Sequence, residues 1–308
     1  MRSMSPARLP ETLAFLMRRR ALGRLGGLGA LALSHNIQAG SFPKRLPRIV
    51  CVGGALTEIV FSLGAQSCLV GVDSTSLFPE EAQQLPQVGY ARTLSAEGVL
   101  ALAPTHLVVT EEAGPLSVLR QVSSVGVSVQ MMDSGYRFEG LIDRIVQVGR
   151  LVGREVEAQA LIVRLQHEWA QLRPDPKLSV NLVSMPVVAP QRVLFLFSHR
   201  ANRLMAAGVD TGAHAMIEYA GAINATPGFS GYKPLTPESL VAAQPDVVLL
   251  TDHGLQVIGD RSAISKLPGM SQTPAGRHQS FVVMDAGLLL GFGPRLPAAV
   301  NILKSHLT

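Results

Sequence analysis

Two stretches of the chain read alike: SAEGVLALAPTHLVVTEEAG at residues 95–114 and TPESLVAAQPDVVLLTDHG at residues 236–254. Ser95 stands over Thr236, Glu97 over Glu238, Pro104 over Pro245 and Thr110 over Thr251, each pair 141 residues apart (236 minus 95 for the first). In both copies a hydroxyl residue precedes a short helical phrase. Its oxygen can accept from the orphan N–H groups of the first turn, and a glutamate there suits the positive end of the helix dipole. A proline then stops the helix, because the residue before it is pushed out of the helical region. An apolar run follows as a strand. One such phrase is common in α/β proteins; two at a single offset predict two lobes of one design.

Working outward, the same order recurs from residue 48. RIVCVGG reads as a strand, TEIVFSLG as a helix ended by Gly64, CLVGVD as a strand, LSVLRQVSSVG as a helix and VSVQMMD as a strand. A second series opens with RVLFLF at residues 192–197. Strands alternating with helices predict parallel sheets flanked by helices, an α/β fold. Between the series, apolar residues recur at three and four over residues 138–172, interrupted by Gly149 and Gly153. Two helices fit, the second about 18 residues or ~27 Å long, enough to act as a strut between lobes. Residues 173–191 are proline-rich and aperiodic, which reads as a loop. The expected organisation is an export segment at 1–39, an N-terminal lobe at 40–136, interlobe helices at 137–172, the loop at 173–191 and a C-terminal lobe at 192–308.

Composition sets the outer bounds. With 47% apolar and 16% charged residues, the chain is that of a well-packed globular protein. Its formal charge of +5 points at first to nucleic acid. Yet residues 1–39 hold six basic groups (Arg2, Arg8, Arg18, Arg19, Arg20, Arg24) and one acid (Glu11). Removing them from totals of 27 and 22 leaves 21 of each sign. A neutral body without a lysine or arginine run does not bind a phosphate backbone. The segment MRRRALGRLGGLGALALSHNIQAG, residues 17–40, has a basic start, an apolar centre and a small-residue exit. It reads as an export signal cleaved near Ala39, with Met17 as an alternative start and either the general or the twin-arginine route open. Past it no apolar run approaches the ~20 residues of a membrane span. Export predicts a periplasmic protein. Cys51 and Cys68, the two cysteines, read as buried free thiols or as a disulfide, the first reading preferred.

No phosphate-binding loop, GxSxG or HExxH occurs, and GGALTE at residues 53–58 is not GxGxxG. What remains is a set of polar residues at strand ends and helix starts: Tyr90, Arg92, His199, Arg200, Tyr232, Lys233 and His253. GYARTLS precedes the first cap and GYKPLT the second, so Tyr90 and Tyr232 hold related places in the two lobes. Such loops line the crevice of an open sheet, and ligands favour sites between domains. An ionised phenol binds ferric iron. Its free pKa is about 10, so the metal and a nearby cation such as Arg92 must help it ionise. Three readings of Tyr90 stand at this point: an iron ligand, a packed ring with Arg92 in a surface ion pair, or an acid–base site of an α/β enzyme. The lack of any catalytic motif weighs against the last.

PQVGYARTLSAEGVLALAPT, VLFLFSH, MAAGVDTGAHAMIEYAGAINA, GFSGYKPLTPESLVAAQPDVVLL and LLLGFGPR together resemble the haem-binding periplasmic proteins of bacterial haem-uptake ABC transporters. These belong to the class III group that also binds vitamin B12 and siderophores. The resemblance runs from about Arg48 to the C-terminus. It implies two Rossmann-like lobes with parallel sheets joined by a long interdomain helix. It implies ferric haem b as transported ligand and Tyr90 as axial ligand with Arg92 as its hydrogen-bond partner, either alone or with His199 as a second metal ligand. His253 competes for that second place because it too follows a strand at the cleft edge. Arg200, Arg203 and Lys233 are candidate partners of the haem propionates, because a carboxylate gains most from a charged donor, and Tyr232, related to Tyr90 by the repeat, is a further candidate contact. Glu238, with Glu111 or Glu112 from the first lobe, is implied as the docking contact to an ABC permease and its ATPase. It further implies a monomer that catalyses nothing and is supplied by a TonB-dependent outer-membrane haem receptor. A vitamin B12 or ferric-siderophore binder of the same fold is the alternative. Two features depart from the family: the long 173–191 segment, and HRANRL at 199–204, where glycines are usual.

Overall fold

The computed structural model describes residues 46–133, 135–172, 189–198 and 203–307. The export segment, nearly all of the 173–191 loop, His199 and Arg200 lie outside them.

The first half opens with β1 (Ile49–Val52), α1 (Gly54–Ser62), β2 (Leu69–Val72), α2 (Ala96–Leu100), β3 (His106–Thr110), α3 (Leu116–Ser124) and β4 (Ser128–Met132). The sheet order is β2-β1-β3-β4, with every pair parallel. All four residues of β1 are buried. Strand alternation sends Ile49 and Cys51 into one hydrophobic cluster and Val50 and Val52 into another. A sheet covered on both faces needs such uninterrupted apolar strands.

Two helices follow, α4 (Phe138–Val152) and α5 (Glu155–Leu172). Gly153 closes α4 with φ +67°, a left-handed cap that favours glycine. Gly149 does not interrupt α4. A Cβ there would stand 2.6 Å from the Ala158 Cβ on α5, so glycine lets the two helices pack closely. The link between lobes is therefore a helical hairpin: α4 packs on α1, and α5 on the last helix of the chain.

The second half contains β5 (Arg192–Ser198), β6 (Leu204–Ala207), α6 (Gly212–Tyr219), β7 (Ile223–Asn224), β8 (Tyr232–Pro234), α7 (Pro237–Ala243), β9 (Val247–Thr251), α8 (Asp252–Ile258), α9 (Arg261–Ser265), α10 (Pro274–His278), β10 (Phe281–Met284), α11 (Ala286–Leu290) and α12 (Leu296–His306). Its sheet runs β10-β9-β5-β6-β8, with β7 also on β5. The pairs among β10, β9, β5 and β7 are parallel, whereas β6 is antiparallel to both β5 and β8. This mixed edge differs from an all-parallel expectation for a simple reason. Residues 199–203 are too few for a parallel crossover, which takes a dozen or more.

The internal repeat survives in the backbone. Ser95 accepts from the Gly98 N–H at 3.4 Å, and Thr236 accepts from Ser239 N–H at 3.2 Å while Ser239 Oγ accepts from Thr236 N–H at 2.9 Å. Ahead of the two prolines, Ala103 and Gln244 both adopt left-handed backbone, φ +46° and +42°.

Both sheets lie in one contact unit, Arg45–Thr308, and the packing explains why. One hydrophobic cluster takes in Ile49 and Cys51 from the first sheet, Phe195 and Leu249 from the second, and Leu141, Leu165 and Leu303 from α4, α5 and α12. Trp169 on α5 stacks on Phe138 (centroids 4.6 Å apart) and meets Tyr219 edge-on at 4.7 Å. Arg295 forms a bidentate pair with Glu58 across the seam, its Nε donating to Oε2 at 3.0 Å, and stacks on Phe78. Arg144 on α4 donates to the Phe292 carbonyl at 2.8 Å. A core that passes through both lobes resists large separation of them.

Cys51 and Cys68 are free thiols inside this core. Burial pushes the Cys51 thiol up to about 12 and also raises Cys68. Thiols so placed are poor nucleophiles. Neither is expected to react with iodoacetamide in the folded protein and both in denaturant, as counted by intact mass. Labelling of the native protein at Cys51 would show that β1 opens in solution.

Candidate functional site

Tyr90 is held outward by its own loop. Val88 N–H donates to the Val72 carbonyl and Ser74 N–H to the Gly89 carbonyl, both at 2.9 Å, lacing the segment onto the end of β2. Gly89, at φ +93°, then turns the chain as few L residues can. Tyr90 precedes a single 3-10 turn, Ala91–Thr93. Ala91 and Leu94 are buried and anchor this turn, so Tyr90 and Arg92 face solvent; the Tyr90 side is 48% exposed.

The same turn is stitched to the loop after β3. Gly114 N–H donates to the Ala91 carbonyl, and Leu94 N–H donates to the Gly114 carbonyl, both at 2.9 Å. That pairing brings Glu112 beside Arg92. One Glu112 oxygen takes the Arg92 guanidinium, and the other accepts from the Tyr136 phenol at 3.0 Å. Tyr136 in turn rests against Phe292, with ring centroids 5.4 Å apart. Arg92 is thus paired with a carboxylate rather than with Tyr90.

The second lobe contributes Tyr232. On β8, Tyr232 is paired with Ala207 and Lys233 with Ala206. Ala207 faces the central cluster and Ala206 the outer one, so the two neighbours point to opposite sides. Tyr232 packs on Phe197 at 5.4 Å and lies within electrostatic reach of Glu112, Arg92 and Tyr136. Lys233 lies over the Phe229 ring at 5.1 Å and does not share that face.

Three phenols from two lobes therefore surround one carboxylate–guanidinium pair, and their environments differ. Burial first, then the Glu112 charge, pushes the Tyr136 phenol well above the ordinary tyrosine range. The same two causes push Tyr232 up to about 12, with Arg92 acting weakly the other way. Both stay neutral donors at neutral pH. The hydrogen bond that Arg92 donates to Glu112 stabilises its charged form against the cost of burial, and the electrostatic influence of the neighbouring Tyr90 and Tyr136 adds to this. Among the three, Tyr90 is the most exposed, at 48% against 38% for Tyr232, and it alone stands two residues from a guanidinium. That is the arrangement in which an incoming ferric ion can take a phenolate.

The other sequence-derived candidates divide as follows. His199 and Arg200 fall outside the described residues. Arg203 is exposed just before β6, and His253 is exposed in the first turn of α8. Glu238 is exposed in the first turn of α7, where its own backbone N–H and Thr236 hold its carboxyl below the usual range. Glu111 neighbours Glu112 in the loop after β3. Tyr136 was missed by the sequence reading. Its only signal was the scarcity of tyrosine, four in the chain, because nothing local links it to a glutamate in another loop. Among the described residues no group of three or more His, Cys, Asp or Glu is placed to hold a metal, and no helix is long and apolar enough to cross a membrane. A cavity of about 530 Å³ lies along the interlobe seam beside Phe78, Arg164, Glu168 and Arg295, but none of the phenols lines it.

The chain is similar to several known proteins. The solved structure of the periplasmic heme-binding protein BhuT in complex with two hemes shares 42% of its sequence. It superposes with a TM-score of 0.78 over 85% of this chain and 97% of that one. The ABC transporter substrate-binding lipoprotein YvrC of Bacillus subtilis, whose function is uncharacterized, is 24% identical over 86% of this chain and 81% of its own length. The vitamin B12-binding protein of Salmonella paratyphi A is also 24% identical, over 69% and 75%. The profile of the periplasmic binding protein family matches residues 49–288. With that match spanning both sheets and the hairpin between them, the chain belongs to the periplasmic binding protein family.

Proposed function

We propose that this protein captures haem between its two lobes and delivers it to the permease of an inner-membrane ABC importer. The observation that carries this reading is Tyr90: half-exposed and beside Arg92, a guanidinium that also lies within electrostatic reach of the second-lobe Tyr232, in a chain 42% identical to a heme-binding protein. The Tyr90 phenolate is the proposed axial ligand of ferric haem b, and ligation of haem iron by tyrosine is established chemistry. Tyr136 and Tyr232 are poor phenolates and serve as neutral hydrogen-bond donors and ring contacts. His199 is the proposed second ligand. Arg200 and Arg203 are proposed to meet the haem propionates, since a carboxylate gains most from a charged donor. Glu238 and Glu111, one from each lobe, are the proposed docking contacts to the permease.

The export segment at 1–39 places the carrier in the periplasm in this reading. There it would act as a monomer, downstream of an outer-membrane haem receptor. Binding and release are its work, and no step needs a catalytic group. The vitamin B12-binding relative favours a corrinoid as the second reading. Titration with hemin and with cyanocobalamin separates the two. The expected result is a saturable Soret band and a tyrosinate-to-iron charge-transfer band with hemin, and no retention of cyanocobalamin in equilibrium dialysis. Retention of the corrinoid without a Soret change on hemin addition would overturn the haem assignment.

A further inference from the structure

The Arg92–Glu112–Tyr136 arrangement has a consequence for binding, and it rests on the haem reading above. Arg92 is the only described cation that lies both two residues from Tyr90 and within electrostatic reach of Tyr232 and Tyr136. Its guanidinium is fully committed to neither phenol. It is paired with Glu112, whose other oxygen is occupied by Tyr136. Glu112 is itself fixed by the Ala91–Gly114 and Leu94–Gly114 backbone bonds, so the pair follows from how two loops meet. Both partners remain partly open to solvent, at 60% and 42% side-chain exposure, so the pair is weakly held and exchangeable.

We propose that Glu112 is a positioning residue that holds Arg92 on its own carboxylate before haem arrives, and that haem capture draws Arg92 from the Glu112 carboxylate onto the Tyr90 phenolate. When the half-exposed Tyr90 phenol gives up its proton to water and its oxygen bonds ferric iron, the resulting phenolate beside Arg92 competes with Glu112 for it. Tyr136, still donating to Glu112, keeps that carboxylate satisfied once Arg92 leaves. The exchange works in both directions. Any movement that brings Glu112 back to Arg92 withdraws a charge-assisted hydrogen bond from the ligand and loosens the iron. The carrier thereby binds haem less tightly than Tyr90 and Arg92 alone would, which suits a protein that must also release it.

The test compares wild type, Glu112→Gln, Arg92→Ala and the double variant by hemin titration and by hemin transfer to excess apomyoglobin. Glutamine keeps the shape and the acceptor for Tyr136 but lacks the charge that holds Arg92. Glu112→Gln is expected to slow haem transfer about 10-fold, the lower end of what an outer-shell partner is worth, and to move the tyrosinate charge-transfer band. In the Arg92→Ala background the same change should leave the transfer rate and band where Arg92→Ala alone puts them. That coupling is not produced by a merely structural role, and far-UV circular dichroism establishes that each variant is folded. Faster transfer from Glu112→Gln, an unmoved band, or an equal effect with and without Arg92 would each overturn the proposal. A wild type with no Soret response at all would instead sink the haem reading on which it rests.

Discussion

Replacing Tyr90 with alanine is expected to abolish the tyrosinate charge-transfer band and to weaken hemin binding by more than about 100-fold, above the range for losing an outer-shell partner. The phenol oxygen is the only bond between Tyr90 and the iron in this reading, and its two tyrosine neighbours cannot replace it. Burial and the Glu112 charge hold the Tyr136 phenol far from ionisation and push Tyr232 up to about 12. Tyr90→Phe separates ligation from ring packing. It keeps the aromatic face and removes the oxygen, so it should match the alanine variant in the charge-transfer band and fall between it and wild type in affinity. His199→Ala is expected to shift the Soret band with a smaller loss of affinity. A Tyr90→Ala protein that binds hemin with the wild-type spectrum would remove the ligand assignment.

The second large effect concerns stability. Glu58 on α1 and Arg295 at the start of α12 are 237 residues apart and form a bidentate pair across the seam between lobes. The Glu58 side chain is 8% exposed and that of Arg295 26%. Removing one partner of a buried pair leaves the other charge uncompensated. Glu58→Ala is therefore expected to cost about 3 kcal/mol, the low end of the buried-pair range because Arg295 retains some solvent, or roughly 6–12 °C in Tm. Replacing both, as Glu58→Leu with Arg295→Met, should recover most of that loss, because well-packed apolar groups avoid the desolvation cost. Thermal melts of wild type, Glu58→Leu, Arg295→Met and the double variant give the coupling. Additive single losses in the double variant would show that the two side chains act independently.

The sign of the pH dependence follows from the same burial. Burial is the largest influence on Glu58 and outweighs Arg295, raising its carboxyl above the ordinary glutamate range. The folded protein then holds the proton more tightly than the unfolded chain does. The Glu58 contribution to stability is highest below the ordinary carboxylate range and falls as pH rises from there through the raised folded value. Glu58→Gln should remove this slope from a plot of Tm against pH.

Much of the fold was legible in the chain itself. The Ser95 and Thr236 caps, the glutamates in the following turns and the strands ended by Thr110 and Thr251 all formed where the 141-residue repeat put them. Each depends on contacts between residues a few positions apart, and such signals are written locally. The length of α5 was legible for the same reason, since helical periodicity runs its whole course. Gly149 was misread as an interruption, because its reason lies on the facing helix and not in its neighbours.

The sequence by itself determined the local pattern: a tyrosine and an arginine two apart ahead of one helix cap, and a related tyrosine ahead of the other. Tertiary structure alone decided their partners. Arg92 meets Glu112, 20 residues on, and Tyr136 meets the same carboxylate from 24 residues on. Lys233 is turned from the site although Tyr232 is turned toward it, because adjacent residues of a strand point opposite ways. Charge pairing depends on distances of a few ångströms between loops, and those distances exist only after the β2 and β3 loops have packed together.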